Sequence, residues 1–299
     1  MYSSEQKIIM NKEVLIKSYA KINIGLRILR KRNDGYHDLE TIFYPVKLYD
    51  EIVISAGKSS DNVNSVILKS NKSYLPLNRE NLCYKAVEKF FSEFKIRDHY
   101  KIRIELKKNI PVGGGLGGGS SNASSVIRFL TKFFGIDIEE NRSRLLHTAL
   151  GIGSDVPFFL LMKPCYATGR GEKLKILAQF NPDFDILIVN PNLHISTKWA
   201  FEKLNLNPGF EKVPALNSVQ VFDPERSEIY ENDFEKIVFE KYSLIGDIKT
   251  RLLDSGAVYA SMSGSGATVY GFFRKNEKAK TLNCRNSFLK QNFFTFISG

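Results

Sequence analysis

Between Pro111 and Ala123 the chain reads Pro-Val-Gly-Gly-Gly-Leu-Gly-Gly-Gly-Ser-Ser-Asn-Ala, with six glycines in the seven residues Gly113–Gly119. Glycine admits positive φ and carries no Cβ to block close approach to the backbone. Ser120 and Ser121 follow, and Val126, Ile127, Phe129, Leu130 and Phe133 then recur at helical spacing. Flexible linkers rarely lead into such a pattern. A glycine loop feeding the first turn of a helix suits a phosphate group, which meets unpaired N–H groups and the positive end of the helix dipole there. Capping of the helix is the alternative role for Ser120 and Ser121, and the two roles are compatible.

Two better-known phosphate loops are excluded. A Walker A loop needs Gly, four residues, then Gly-Lys-Ser/Thr, and no lysine follows this tract. Gly57-Lys58-Ser59 lacks the upstream glycine, since position 52 is Ile; it reads as a polar turn after the extended Glu51–Ser55. A dinucleotide fingerprint also fails for want of an acidic residue at the end of a second strand.

A length of 299 residues allows one large domain or two ordinary ones, and 43% apolar with 25% charged residues is a globular composition. The net charge of +11 calls for an anionic partner or a basic, solvated surface. The basic residues are scattered and no nucleic-acid motif is present, so no nucleic acid is expected, and the charge fits an anionic small molecule or a solvated surface equally. Cys83, Cys165 and Cys284 lie far apart with no Cys-x-x-Cys pair, and His37, His99, His147 and His194 show no ligand spacing. That argues against a disulfide frame or zinc site and for a reducing, cytoplasmic setting. There is no apolar leader and no run of membrane-spanning length, so no membrane partner is expected.

Extended segments are expected at Val14–Leu29, Leu39–Val46, Asp50–Ser55, Ser65–Lys69 and Tyr100–Leu106, with a glycine-bearing turn at Arg30–His37. Helices are expected at Asn78–Phe94, from about Ser120, and at Ile138–Leu150. Strands at Cys165–Leu177 and Phe184–Val189, helices at Ser196–Leu204, Asn232–Tyr242 and Leu244–Leu253, and strands at Ala257–Ser261 and Ala267–Phe273 complete the pattern. The segment Pro208–Ser227 lacks periodicity and reads as a surface loop. A domain boundary is expected near residue 163, giving domains 1–163 and 164–299.

Three motifs stand in order: Ala20-Lys21-Ile22-Asn23-Ile24-Gly25-Leu26, the glycine-serine loop, and Met262-Ser263-Gly264-Ser265-Gly266-Ala267. Together they resemble the GHMP kinases, the family of galactokinase, homoserine kinase and mevalonate kinase. Asp34-Gly35-Tyr36-His37-Asp38-Leu39-Glu40-Thr41 and Gly153-Ser154-Asp155-Val156-Pro157-Phe158 are similar to the branch whose acceptor is 4-diphosphocytidyl-2-C-methyl-D-erythritol, on the non-mevalonate route to isoprenoid precursors. The resemblance implies an α+β fold in two lobes, the first like ribosomal S5 domain 2 and the second ferredoxin-like. It further implies phosphoryl transfer from ATP, with Mg²⁺, to a tertiary hydroxyl, in a monomer or weak homodimer.

Residue by residue, the resemblance makes Lys21 and Asp155 catalytic and assigns ATP to Pro111, Gly113, Gly114, Gly115, Leu116, Gly117, Gly118, Gly119, Ser120 and Ser121. Ser121 is also a candidate for Mg²⁺ through the nucleotide. Asn23, Tyr36, His37, Thr197 and Phe201 fall at substrate-binding positions, with Tyr36 offering a face for cytosine and His37 a hydrogen bond to its edge. A carboxylate beside an ammonium stays ionised, so Asp155 would orient the acceptor hydroxyl first and accept its proton late. On its own residues Asp155 also fits a helix N-cap before Val156-Pro157, and Tyr36 and Phe201 also fit core packing. Ser265 stands where many relatives carry Thr, and Ser154 replaces a common Ala.

Overall fold

The computed structural model describes residues 12–204, 206 and 210–299, which form two compact units. The first comprises residues 12–20, Tyr49–Ile110 and Gly118–Met162; the second comprises Lys21–Leu48, Pro111–Gly117 and the described residues from Lys163 onward. The division is not a single cut of the chain. Strands β1 (Val14–Lys31) and β2 (His37–Lys58) each supply residues to both units.

In the first unit, Glu51–Lys58 of β2 runs antiparallel to β4 (Tyr100–Lys107), and β3 (Ser65–Ser70) runs parallel to β4. β4 shows the alternation its sequence predicts: Tyr100, Ile102, Ile104 and Leu106 are buried and every second residue faces outward. Against them pack α1 (Leu82–Glu93) and α2 (Gly118–Phe133), followed by α3 (Arg142–Leu150) and α4 (Val156–Leu161). α1 buries Cys83, Ala86, Val87, Phe90 and Phe91, a stripe at i, i+3, i+4, i+7 and i+8. It starts later than expected because Asn81 caps it, its side chain accepting from the Cys83 N–H at 2.9 Å.

In the second unit, Leu39–Phe43 of β2 pairs antiparallel with β5 (Cys165–Gly169), which turns into β6 (Lys173–Ile176). The expected single strand Cys165–Leu177 is thus a hairpin. Gly169 and Gly171 adopt φ of +70° and +106° in its turn, which suits glycine. The expected strands Leu39–Val46 and Asp50–Ser55 are instead one, β2. Pro45, which carries no N–H, falls outside both registered stretches.

The rest of the second unit is an antiparallel sheet ordered β10-β7-β9-β8, from β7 (Phe184–Asn190), β8 (Tyr259–Met262), β9 (Val269–Arg274) and β10 (Phe294–Ser298). With α5 (Thr197–Leu204), α6 (Glu235–Lys241) and α7 (Ser243–Asp254) before β8 and α8 (Lys278–Leu289) before β10, this is the ferredoxin-like order. α8 and β10 have no counterpart in the sequence reading. α8 buries only Thr281, Cys284 and Phe288, and that is too weak an apolar stripe to stand out. Of the expected loop Pro208–Ser227, residues 208 and 209 lie outside the described residues. The remainder is irregular until the 3₁₀ turn Pro224–Tyr230.

Candidate active site

Lys21 and Asn23 lie two residues apart on β1 and therefore share a face. Lys21 is 3% exposed; its Nζ donates to Asn23 Oδ1 at 2.5 Å and to the Gly115 carbonyl at 3.2 Å, and sits 4.9 Å from the centre of the Phe43 ring. The Lys21 N–H donates to the Leu116 carbonyl at 3.0 Å. Asn23 is itself held on four sides. Its Nδ2 donates to Thr41 Oγ1 at 3.1 Å, its N–H to Ser263 Oγ at 3.2 Å, and its carbonyl accepts from Tyr270 Oη at 2.7 Å. Burial, and then the neighbouring Tyr259, push the Tyr270 hydroxyl well above its ordinary pKa, so it stays a neutral donor.

The loop residues Pro111–Gly117 are tied to the same unit through their carbonyls. Ser263 Oγ donates to the Gly115 carbonyl at 2.9 Å, and the Thr268 N–H to the Gly114 carbonyl at 3.3 Å. Gly113, Gly115 and Gly117 adopt positive φ. At Gly115 a Cβ would lie 2.0 Å from the Ser263 carbonyl oxygen, and at Gly114 it would lie 2.7 Å from Asn190 Nδ2. These glycines are required by protein neighbours, not only by a ligand. Gly119 differs, because a Cβ there meets only Leu82 Cδ1, at an ordinary 3.5 Å.

In the first unit, α2 begins at Gly118, two residues before the expected start, because the last two glycines join the helix. Ser120 is therefore half-buried within the first turn, and Ser121 is buried. Asp155 occupies the N-cap position of α4, half-buried, yet its side chain makes no capping hydrogen bond. The position is that of a cap; the chemistry is not. Among the described residues no group of three or more His, Cys, Asp or Glu is placed to hold a metal, and no helix is long and apolar enough to cross a membrane.

The remaining candidates gather in the second unit. Gly35 takes φ of +85° in the β1–β2 turn. Asp34 braces it, accepting from the Tyr36 N–H at 3.2 Å and from Arg32 Nη2 at 2.7 Å. The Arg32 hydrogen bond lowers the Asp34 pKa. Tyr36 is left 52% exposed, with the Arg170 guanidinium 4.3 Å from its ring centre. His37 stacks on Phe201 at 4.7 Å, and Phe201 meets Phe234 edge-on at 4.9 Å. Thr197 Oγ1 and Ser265 Oγ share a hydrogen bond of 2.8 Å.

Residues 81–163 match the family model for the GHMP kinases N terminal domain, and residues 213–290 that for the GHMP kinases C terminal domain. The chain is 40% identical over 273 residues to the 4-diphosphocytidyl-2-C-methyl-D-erythritol kinase of Chlorobium limicola, covering 89% of this chain and 90% of that one. The chain belongs to the GHMP kinase family. The kinase fold matches a crystal structure of 4-(cytidine 5'-diphospho)-2C-methyl-D-erythritol kinase with a TM-score of 0.75 and 27% identity, over 96% of this chain and 100% of that one. The homoserine kinase of Cytophaga hutchinsonii, at 17% identity and a TM-score of 0.62 over 97% of this chain and 95% of that one, shares the fold.

As a GHMP kinase the chain takes ATP as its phosphate donor. In the second unit of this kinase, Lys21, Asn23, the loop residues Pro111–Gly117 and the Ser263–Gly266 turn come together, and Thr197 joins that turn. Sequence reasoning missed Thr41, Tyr270 and Arg170. Tyr270 carried a signal, a hydroxyl inside the apolar run Val269–Phe273. Arg170, in a hairpin turn read as strand, carried none.

Proposed function

We propose that this kinase transfers the γ-phosphoryl group of ATP to the tertiary 2-hydroxyl of 4-diphosphocytidyl-2-C-methyl-D-erythritol. The observation that carries the reading is the Lys21 ammonium, buried and bonded both to Asn23 and to the glycine loop. A fixed cation beside a nucleotide loop is what a transition state with charge spread over phosphoryl oxygens requires. The acceptor is suggested by the names of relatives about 40% identical over nine-tenths of the chain. The Asp34–His37 turn, with its exposed Tyr36, supplies the aromatic surface a cytosine needs.

In this reading the N–H groups from Gly118 to Ser121 meet the phosphate chain, and Lys21 offsets charge that develops during transfer. Asp155, uncommitted to capping, takes the acceptor hydroxyl as a hydrogen-bond donor and its proton late. Mg²⁺ supplies neutralisation of phosphate charge. With no acidic cluster among the described residues it fits as an ion carried mainly by the nucleotide, Ser121 adding a hydroxyl. Thr197 and Phe201 serve the cytidine end.

The test is Mg-ATP-dependent ADP release with 4-diphosphocytidyl-2-C-methyl-D-erythritol, with homoserine and mevalonate in parallel. Turnover on the cytidine substrate alone is expected. Turnover on a control alone would keep the kinase and discard the acceptor.

A further inference from the structure

Asp50 is completely buried in the first unit, beside Lys108 at 5% and Asn122 at 2% exposure. Its Oδ1 accepts from the N–H groups of Asn109 at 2.7 Å and Ile110 at 2.9 Å. Its Oδ2 accepts from Asn122 Nδ2 at 3.0 Å and from the Lys108 ammonium, which also donates to Asn122 Oδ1 at 2.8 Å. Asn109 and Ile110 are the last residues before Pro111, and Asn122 is the fifth residue of α2. One carboxylate thus grips the chain on both sides of the 111–117 segment. The start of α2 packs onto the same group, since a Cβ on Gly118 would lie 3.2 Å from Lys108 Nζ and 3.1 Å from Ile110 Cγ2.

Burying a carboxylate, an ammonium and an amide costs several kcal/mol, and well-packed apolar side chains hold a fold as well or better. Stability alone is a poor reason for this cluster. What the polar arrangement adds is direction: Oδ1 holds the two N–H groups that precede the loop, while Oδ2 joins Lys108, before the loop, to Asn122, after it. We propose that Asp50 is a positioning residue for nucleotide binding. With Lys108 and Asn122 it clamps both ends of the glycine loop, so that the first N–H groups of α2 are set before ATP arrives and little ordering remains to be done on binding. The inference rests on the reading of the loop as the ATP site.

Asn122→Ala cuts the helix side of the clamp and leaves the Asp50–Lys108 pair intact, so it is the variant chosen to fold. Asp50→Asn weakens both sides. In the free chain, amide hydrogen exchange at 122–125, the N–H groups that close the first turn of α2, is expected to rise at least about tenfold in Asn122→Ala, and at 109–110 also in Asp50→Asn. By calorimetry, the Kd for a Mg-bound non-hydrolysable ATP analogue should rise about tenfold in either variant, while that for cytidine diphosphate stays within about twofold. A nucleotide Kd within about twofold of the parent, whatever happens to Tm, would overturn the clamp; so would equal loss of both ligands. Failure of the unmodified chain to bind the analogue would overturn the ATP-loop reading itself. Binding without turnover on the cytidine substrate would overturn only the acceptor and leave these Kd values to decide.

Discussion

The His37 imidazole lies against the Phe201 ring with centroids 4.7 Å apart and planes 18° from parallel. That is already the spacing of a stacked pair, so no third ring fits between them. A cytosine that stacks on this face of Phe201 must first displace His37. The other direction is limited too, because Phe234 meets Phe201 edge-on. Tyr36, by contrast, is open to solvent with one ring face already taken by Arg170.

His37 should titrate below the ordinary histidine value near 6.5, first because burial disfavours its charged form and second because Lys31 repels it. The folded pKa being below the unfolded one, protonation costs stability. Stability is full above the unfolded value and falls as pH drops from about 6.5 through the folded pKa. An NMR titration of the histidine ring is the measurement. Phe201→Ala, which removes the burial, should move the midpoint back up toward 6.5; an unchanged midpoint would mean Phe201 is not what shields it.

The glycines of the loop should separate into two classes. Gly115→Ala places a Cβ 2.0 Å from the Ser263 carbonyl at a φ of +80°, and should cost at least about 3 kcal/mol in urea unfolding. Gly119→Ala sits on a helix with room around it and should gain up to about 1 kcal/mol. If the phosphates approach at Gly119, the same variant should bind the ATP analogue at least about tenfold more weakly. A stabilised variant with unchanged nucleotide affinity would move the phosphates elsewhere.

These two classes mark how far the sequence could be read. Six glycines in seven residues announced a loop and a helix behind it, but not that Gly114 and Gly115 owe their identity to Asn190 and Ser263, more than seventy residues away. Local periodicity located β4 and α1 because each buries a regular apolar stripe. It failed at α8, whose buried face is Thr281, Cys284 and Phe288, and with α8 went β10 and the closure of the four-stranded sheet. Lys21 and Asn23 were singled out by the family resemblance alone; their bond to each other on one face of β1 belongs to the structure. Asp50 and Lys108 were not singled out, since a charged pair buried by tertiary packing looks in sequence like surface.

The three cysteines should be chemically silent in the native chain. Burial pushes Cys83 and Cys165 up to about 12 and raises Cys284 as well. A thiol at about 12 holds only about one part in 10⁴ as thiolate at pH 8. Ellman's reagent should therefore titrate no thiol rapidly until urea unfolds the chain, and turnover should survive the treatment. A fast native thiol, or rapid inactivation, would contradict the burial of at least one of them.

Lys21 and Asp155 should be separable from binding by kinetics. Lys21→Met keeps most of the side chain's length but removes the cation, and should lower kcat by about 10²–10³. Because Lys21 Nζ also anchors the Gly115 carbonyl, a modest rise in nucleotide Kd should accompany it. Asp155→Ala should abolish measurable turnover while acceptor affinity stays within about tenfold, or roughly 1.4 kcal/mol. Asp155→Asn decides between roles. Asn caps helices as well as Asp, so a capping role would let Asn restore activity. A role as ionised acceptor of the substrate hydroxyl leaves the Asn variant as inactive as Ala, and that outcome is expected, since the Asp155 side chain makes no capping bond to α4. Rescue by Asn, with both ligands still bound, would remove Asp155 from the chemistry and leave Lys21 as the charged group the transfer depends on.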